Sequence, residues 1–280
     1  MGRQQKVTDE LRHWLLIQRA LNYPDALLHA QLLAAGWSDG AARQALAEQG
    51  GQAGPAQALL PDKPMPGPDL SCAGLYLDAG DRRVQVLQTM THPRIIVFDD
   101  LLSEDECAGL ISSARTRLER SLTLDEDCGD DILVHERSSD GMFFQRGENQ
   151  LIACVEQRVA TLLRWPVEFG EGLQVLRYTA GAEYAPHYDY FSPERAGTSQ
   201  VLAHGGQRIA TLLMYLQEPL RGGSTVFPDI GLEVMPKRGS AVFFSYERPD
   251  PGTRTLHGGS PVIAGEKWVA TKWLREAEFD

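Results

Sequence analysis

His187 and Asp189 stand two residues apart in the segment RYTAGAEYAPHYDYF. On a strand, residues i and i+2 point the same way, so an imidazole and a carboxylate emerge side by side from one face. Alone the pair is weak, because a hydrogen-bonded His–Asp pair at a strand end has the same pattern. His257 changes its weight: it lies in TLHGGSPVIAGEKWVATKW, just before an expected strand and 70 residues after His187. Two histidines and one carboxylate make the facial triad of non-haem iron(II) oxygenases, which leaves metal positions open for a co-substrate and dioxygen. A zinc hydrolase uses the same donor types, but the chain has neither H-E-x-x-H nor an obvious paired general base.

Lys267 follows ten residues after His257, and Lys267, Val269, Thr271 and Trp273 alternate, so one strand face presents all four to a common interior. A lysine facing a β-core is costly unless an anion partners it, and a dicarboxylate co-substrate supplies one. The alternative is a lysine in the turn before the strand, with its ammonium in solvent. Tyr178 closes LQVLRY nine residues before His187. It is either an ordinary core tyrosine or a hydroxyl reaching the same anion.

The elements that must hold these residues are mostly short strands. From residue 170 onward the runs LQVLRY, RIATLLMYL, LEVM, SAVFFSY and KWVATKWL are separated by Gly, Pro and Asp turns. Upstream, Ile95–Phe98 reads as a strand. Ser103-Glu104-Asp105-Glu106 forms a capping box ahead of a helix carrying Cys107, Leu110, Ile111, Ala114 and Leu118. Leu151, Ile152, Val155, Val159, Leu162 and Leu163 mark a second helix that ends at Trp165-Pro166. Two helices followed by many short strands predict an α+β domain with a jelly-roll or sandwich core.

Residues 1–52 read as a three-helix module. Thr8 caps the first helix. The second carries Ala26, Leu27, Ala30 and Leu33 on one face, with Gly36 as terminator, and Ser38 caps the third. The module resembles ubiquitin-associated-type bundles and is either a docking domain for a protein partner or an idle packing unit. Residues 53–69 hold five prolines between Pro55 and Pro68 and read as an extended linker. A second domain then runs over 70–280.

Composition limits the function classes. The chain has 280 residues and a formal net charge of −11, a poor counterion for nucleic acid. No stretch approaches 18 uninterrupted apolar residues, so no membrane span is expected. Polar residues break every apolar run near the N-terminus, which argues against a secretory signal and for a cytoplasmic protein. Cys72, Cys107, Cys128 and Cys154 form no CxxC and read as structural thiols in a reducing compartment.

Residues from roughly 93 to 280, about two thirds of the chain, resemble the prolyl 4-hydroxylase (collagen-type) branch of the iron(II)/2-oxoglutarate-dependent dioxygenases. The likeness is carried, in order, by LQVLRYTAGAEYAPHYDYF, RIATLLMYLQEPLRGGSTVFP, GSAVFFSY and LHGGSPVIAGEKWVATKWLRE. It implies a double-stranded β-helix (jelly roll) flanked by helices, with 70–280 as the dioxygenase domain. It implies Fe(II) on His187, Asp189 and His257, and the distal carboxylate of 2-oxoglutarate on Lys267 assisted by Tyr178. Thr211 and Trp273 line the co-substrate pocket by the same likeness. The implied reaction consumes dioxygen, releases succinate and CO2, and hydroxylates a peptidyl proline to 4-hydroxyproline, with L-ascorbate restoring over-oxidised iron. HERSSDGMFF resembles the family's substrate-side strand and nominates Arg137, Ser138 and Ser139, although an ordinary turn between strands reads equally well. The polar segment 192–207 is either a lid or a solvated connection. Two other readings stay open: hydroxylation of a free amino acid or small metabolite, and a catalytically silent jelly-roll binding module.

Overall fold

The computed structural model describes residues 7–8, 11–12, 15, 25–48, 64–71, 74–120, 123–124, 131–132, 138–194 and 197–280. The chain divides into two compact units, 1–64 and 65–280.

In the first unit, helices α1 (Asp25–Ala34) and α2 (Asp39–Glu48) are joined through Gly36, whose φ of +87° is the left-handed geometry that ends a helix. Leu28 and Leu32 of α1 pack with Leu11, Leu15, Ala42 and Ala45. The inward stripe of α1 is thus Leu28/Leu32, with Leu33 exposed, a rotation of the face expected from Ala30 and Leu33. Leu11 donates its N–H to Thr8 Oγ1 at 3.2 Å, as expected of a cap, but most of the first expected helix lies outside the described residues.

The second unit is built on antiparallel strands. These are β1 (Tyr76–Asp78), β2 (Arg83–Met90), β3 (Arg94–Asp99), β4 (Glu119–Arg120), β5 (Thr123–Leu124) and β6 (Asp131–Ile132). Next come β7 (Asp140–Phe144), β8 (Leu173–Tyr178), β9 (Tyr184–His187), β10 (Arg208–Gln217), β11 (Arg221–Gly222) and β12 (Thr225–Phe227). The last are β13 (Leu232–Val234), β14 (Ala241–Ser245), β15 (His257–Gly259), β16 (Val262–Ala264) and β17 (Lys267–Arg275). A nine-stranded sheet runs β1-β2-β3-β14-β10-β17-β8-β7-β4, and a four-stranded sheet runs β13-β12-β15-β9.

Side-chain alternation on the central strands makes two cores. On one face of the large sheet, Leu212, Met214, Phe243, Trp268 and Ala270 pack against helices α3 (Glu104–Arg115) and α4 (Gln150–Leu163). On the other, Leu176, Tyr215, Phe244 and Val269 meet Phe227 and Val234 of the small sheet. This is the sandwich of two sheets with helices on one side that the sequence predicts.

Helix α3 begins with the expected capping box: Glu106 N–H donates to Ser103 Oγ at 3.1 Å and Ser103 N–H to Glu106 Oε2 at 2.8 Å. It stops at Arg115, before Leu118. The Pro-rich stretch ends earlier than expected. Pro66, Gly67 and Pro68 are buried, and Gly67 N–H donates to the Leu163 carbonyl at 2.7 Å, so these residues belong to the second unit rather than to a linker. Among the described residues no helix is long and apolar enough to cross a membrane.

Candidate metal centre

Strands β9 and β15 pair with His187 opposite His257, which brings the imidazole centroids to 4.4 Å. At Gly258 a Cβ would stand 2.8 Å from the Tyr184 carbonyl oxygen, so this pairing needs glycine there. Asp189 is not on the strand with His187, as the i, i+2 reading expects: β9 ends at His187 and the chain bends. The bend brings Asp189 Oδ1 to 3.4 Å from His187 Nε2 and Oδ2 to 3.5 Å from His257 Nε2. One ligand atom from each of the three residues lies within 4.8 Å of the others.

The donor set fits a divalent cation. His187 Nδ1 lies 3.0 Å from the Ala185 carbonyl and His257 Nδ1 lies 3.0 Å from the Thr255 carbonyl. A carbonyl only accepts, so each Nδ1 carries the proton and each Nε2 lone pair is left for the cluster. Burial pushes the His257 pKa down to about 4, keeping the ring neutral. Burial works to raise the Asp189 carboxyl, but His257, His187 and Arg208 around it overcome that and hold it well below the usual carboxylate range. Two neutral imidazoles and one carboxylate leave a dication with about one positive charge for further ligands. Asp81, Glu106 and Cys154 also converge, but the Arg158 guanidinium fills that cluster at 2.7 Å from Asp81 and 2.5 Å from Glu106.

The triad lines an open-mouthed cavity. Lys267 lines it too, as the first residue of β17 and the cross-strand partner of Tyr178. Lys267 is 3% exposed, so it is not in a solvated turn. Its Nζ lies 5.5 Å and 5.8 Å from the ring centroids of Tyr178 and Tyr215. Among the described residues no carboxylate pairs with it, and burial lowers its pKa to about 7. A buried ammonium facing a cavity and lacking an anion is a receptor for one.

Thr211 lines the same cavity and donates its hydroxyl to Asp189 Oδ2 at 2.7 Å. Trp273 shares the face of Lys267 but is not among the residues lining the cavity. Arg208 lies 3.9 Å over its ring and, through a bidentate pair with Glu171 at 2.6 Å and 2.8 Å, walls it off. Arg137 lies outside the described residues. Ser138 is tied to the backbone of Glu183, the residue before Tyr184, accepting from its N–H at 2.8 Å. Ser139 is fully buried, and neither serine lines the cavity.

Tyr184 and Phe244 were not singled out by sequence, yet they frame the ligands. The Tyr184 ring stacks on His187 at 3.8 Å and Phe244 lies 4.5 Å from His257. Pro186 obscures β9 as a strand, and the sheet order explains its tolerance, because β9 is an edge. The segment 192–207 contains a short helix, α5 (Thr198–Leu202), and is fastened where Gln207 exchanges hydrogen bonds with the Phe191 backbone at 2.8 Å each way.

Residues 173–275 match the profile of the 2OG-Fe(II) oxygenase superfamily. A probable prolyl 4-hydroxylase 3 of Arabidopsis thaliana is 39% identical over 221 residues, covering 71% of this chain and 75% of the relative. A probable prolyl 4-hydroxylase 10 of the same plant is 41% identical over 208 residues, covering 67% and 70%. Among solved structures, the viral collagen prolyl hydroxylase of Paramecium bursaria Chlorella virus-1, in complex with 2OG, aligns with a TM-score of 0.50 at 30% identity. That alignment covers 65% of this chain and 95% of the viral one.

Proposed function

Because the chain belongs to the prolyl 4-hydroxylase branch of the 2-oxoglutarate- and iron(II)-dependent oxygenases, we propose that it hydroxylates proline at C4 within a peptide or protein. The observation that carries this is the convergence of His187, Asp189 and His257 in one cavity with a buried Lys267 that has no carboxylate partner among the described residues. His187, Asp189 and His257 would hold the Fe(II), and Lys267 would take the distal carboxylate of 2-oxoglutarate. When bound, the metal and co-substrate supply the activation of dioxygen that is coupled to decarboxylation of 2-oxoglutarate to succinate and CO2.

The chain's own residues do the positioning. The Ala185 and Thr255 carbonyls fix both imidazole tautomers. Lys267 neutralises one end of the dicarboxylate, and Tyr178 and Tyr215 shield that pair from water. Tyr184 and Phe244 cover the imidazoles with apolar surface, excluding solvent from the reacting region. In this reading the peptide lies on the Ser138 side of Tyr184, with Arg137 adjoining it in the chain. L-Ascorbate would be the reductant that keeps the iron in its ferrous state, and residues 1–52 would dock a protein partner. The free thiols of Cys107 and Cys154 support a reducing, cytoplasmic setting.

The test is an anaerobic titration of metal-free protein with Fe(II) and then 2-oxoglutarate, followed by visible absorption; dioxygen is then admitted in the presence of proline-rich peptides, which are analysed by mass spectrometry. The expected result is a weak charge-transfer band requiring both additions, and a +16 Da product on proline. A band and succinate production without any modified peptide would exclude peptidyl proline and favour a free amino acid or small metabolite. No band would favour a silent binding module.

A further inference from the structure

Asp189 is held from behind by a hydrogen-bond chain that the sequence pattern does not announce. Thr211, on β10, places Oγ1 2.7 Å from Asp189 Oδ2 and 2.9 Å from the Tyr246 hydroxyl oxygen. Tyr246 follows the end of β14, where its N–H donates to the Ile209 carbonyl at 2.9 Å. Tyr246 and Thr211 are each 1% exposed, so bulk water does not compete for these bonds.

Chemistry fixes the direction of the chain. A ligating carboxylate is ionised and only accepts. The single hydroxyl proton of Thr211 is therefore committed to Asp189 Oδ2. With that proton spent, Thr211 Oγ1 can only accept from Tyr246, whose phenolic O–H must donate. The Thr211 hydroxyl thus anchors Asp189 Oδ2, which lies 3.5 Å from His257 Nε2, while Oδ1 lies 3.4 Å from His187 Nε2.

Resting on the iron-site reading above, we propose that Tyr246, acting through Thr211, is a positioning residue that fixes the rotation of the Asp189 carboxylate between the His187 and His257 imidazoles. Tyr246 is not among the residues lining the cavity. Its effect passes through the Thr211 hydroxyl, so removing either hydroxyl frees the carboxylate to rotate and to bind the metal in more than one way.

The experiment titrates Fe(II) anaerobically into full-length wild type, Tyr246→Phe, Thr211→Val, Thr211→Ser and the double variant Tyr246→Phe/Thr211→Val, and then adds 2-oxoglutarate. The readouts are the Fe(II) dissociation constant and the position and width of the visible charge-transfer band. Thr211→Val should weaken Fe(II) binding by about 10–100-fold, the usual effect of removing a group behind a metal ligand, and Tyr246→Phe by about tenfold. Both should broaden or shift the band. Thr211→Ser, which keeps the hydroxyl, should restore wild-type values, and Tyr246→Phe should add nothing once Thr211 is valine. Unchanged metal affinity and band in folded Tyr246→Phe and Thr211→Val would overturn the relay while leaving the metal site standing. Additive effects in the double variant would overturn the action of Tyr246 through Thr211. Absence of Fe(II) binding in wild type would overturn the iron-site reading and the relay with it.

Discussion

His187 and His257, seventy positions apart in the chain, are direct cross-strand partners in the β9–β15 ladder. Ligand spacing is therefore a property of backbone register rather than of loops that happen to meet. Gly258 sits inside that register, with Tyr184 and Pro186 backbone atoms 2.8–3.2 Å from where a Cβ would be. Gly258→Ala should push β15 off β9 and abolish the Fe(II)–2-oxoglutarate band, with loss of more than about 100-fold in 2-oxoglutarate decarboxylation, beyond what loss of a supporting group causes. A variant with an intact band would show that the register tolerates the shift.

Lys267 and Lys272 lie five residues apart on β17 and face opposite cores, and their removal should act in opposite directions. Lys272 is bonded to Glu156 at 2.6 Å, with both side chains at most 3% exposed. Lys272→Met leaves a buried unpaired carboxylate and should cost about 3–5 kcal/mol in denaturant unfolding.

Lys267→Met, in contrast, removes a buried cation that has no carboxylate partner among the described residues and should raise the melting temperature of the ligand-free protein. The same change should raise the 2-oxoglutarate requirement by at least about 30-fold, the low end of the 2–5 kcal/mol lost when a buried charge pair is truncated. Equal melting temperatures would mean that the ammonium is already neutralised in the ligand-free fold.

The pH dependence follows from the same residue. Burial lowers Lys267 from 10.5 to about 7. Between these values the unfolded chain binds the extra proton, so Lys267 makes stability rise with pH from about 7 to 10.5 and contributes no slope outside that window. Lys267→Met should flatten the slope in urea titrations at about pH 7.5 to 9.5, a range lying between the folded and unfolded values. A bound dicarboxylate restores the charge, so 2-oxoglutarate binding should take up a proton above pH 7 and weaken as pH rises. Calorimetric titrations at pH 8 in two buffers of different ionisation enthalpy measure that uptake directly, and equal heats would contradict it.

Much of this was legible because the relevant signals are local. The runs LQVLRY and RIATLLMYL became β8 and β10 almost residue for residue, and of the two readings left open for Lys267, the inward strand position from the period-two pattern is the one observed. Signals that depend on neighbours were not legible. Trp273 obeys the period yet misses the cavity because Arg208, from another strand, claims its ring. Asp189 reaches the site through a bend rather than along a strand, and Tyr246 gains its role only from β14 lying beside β10. Strands β1 and β2 carry too many exposed polar residues to stand out from turns.

All nine residues of β17 are buried, because one side of the strand faces the helices and the other the cavity. No position on it is free of both cores, so substitutions there meet a constraint on whichever side they point. Variation that leaves catalysis and folding untouched has no room on β17 and must collect elsewhere.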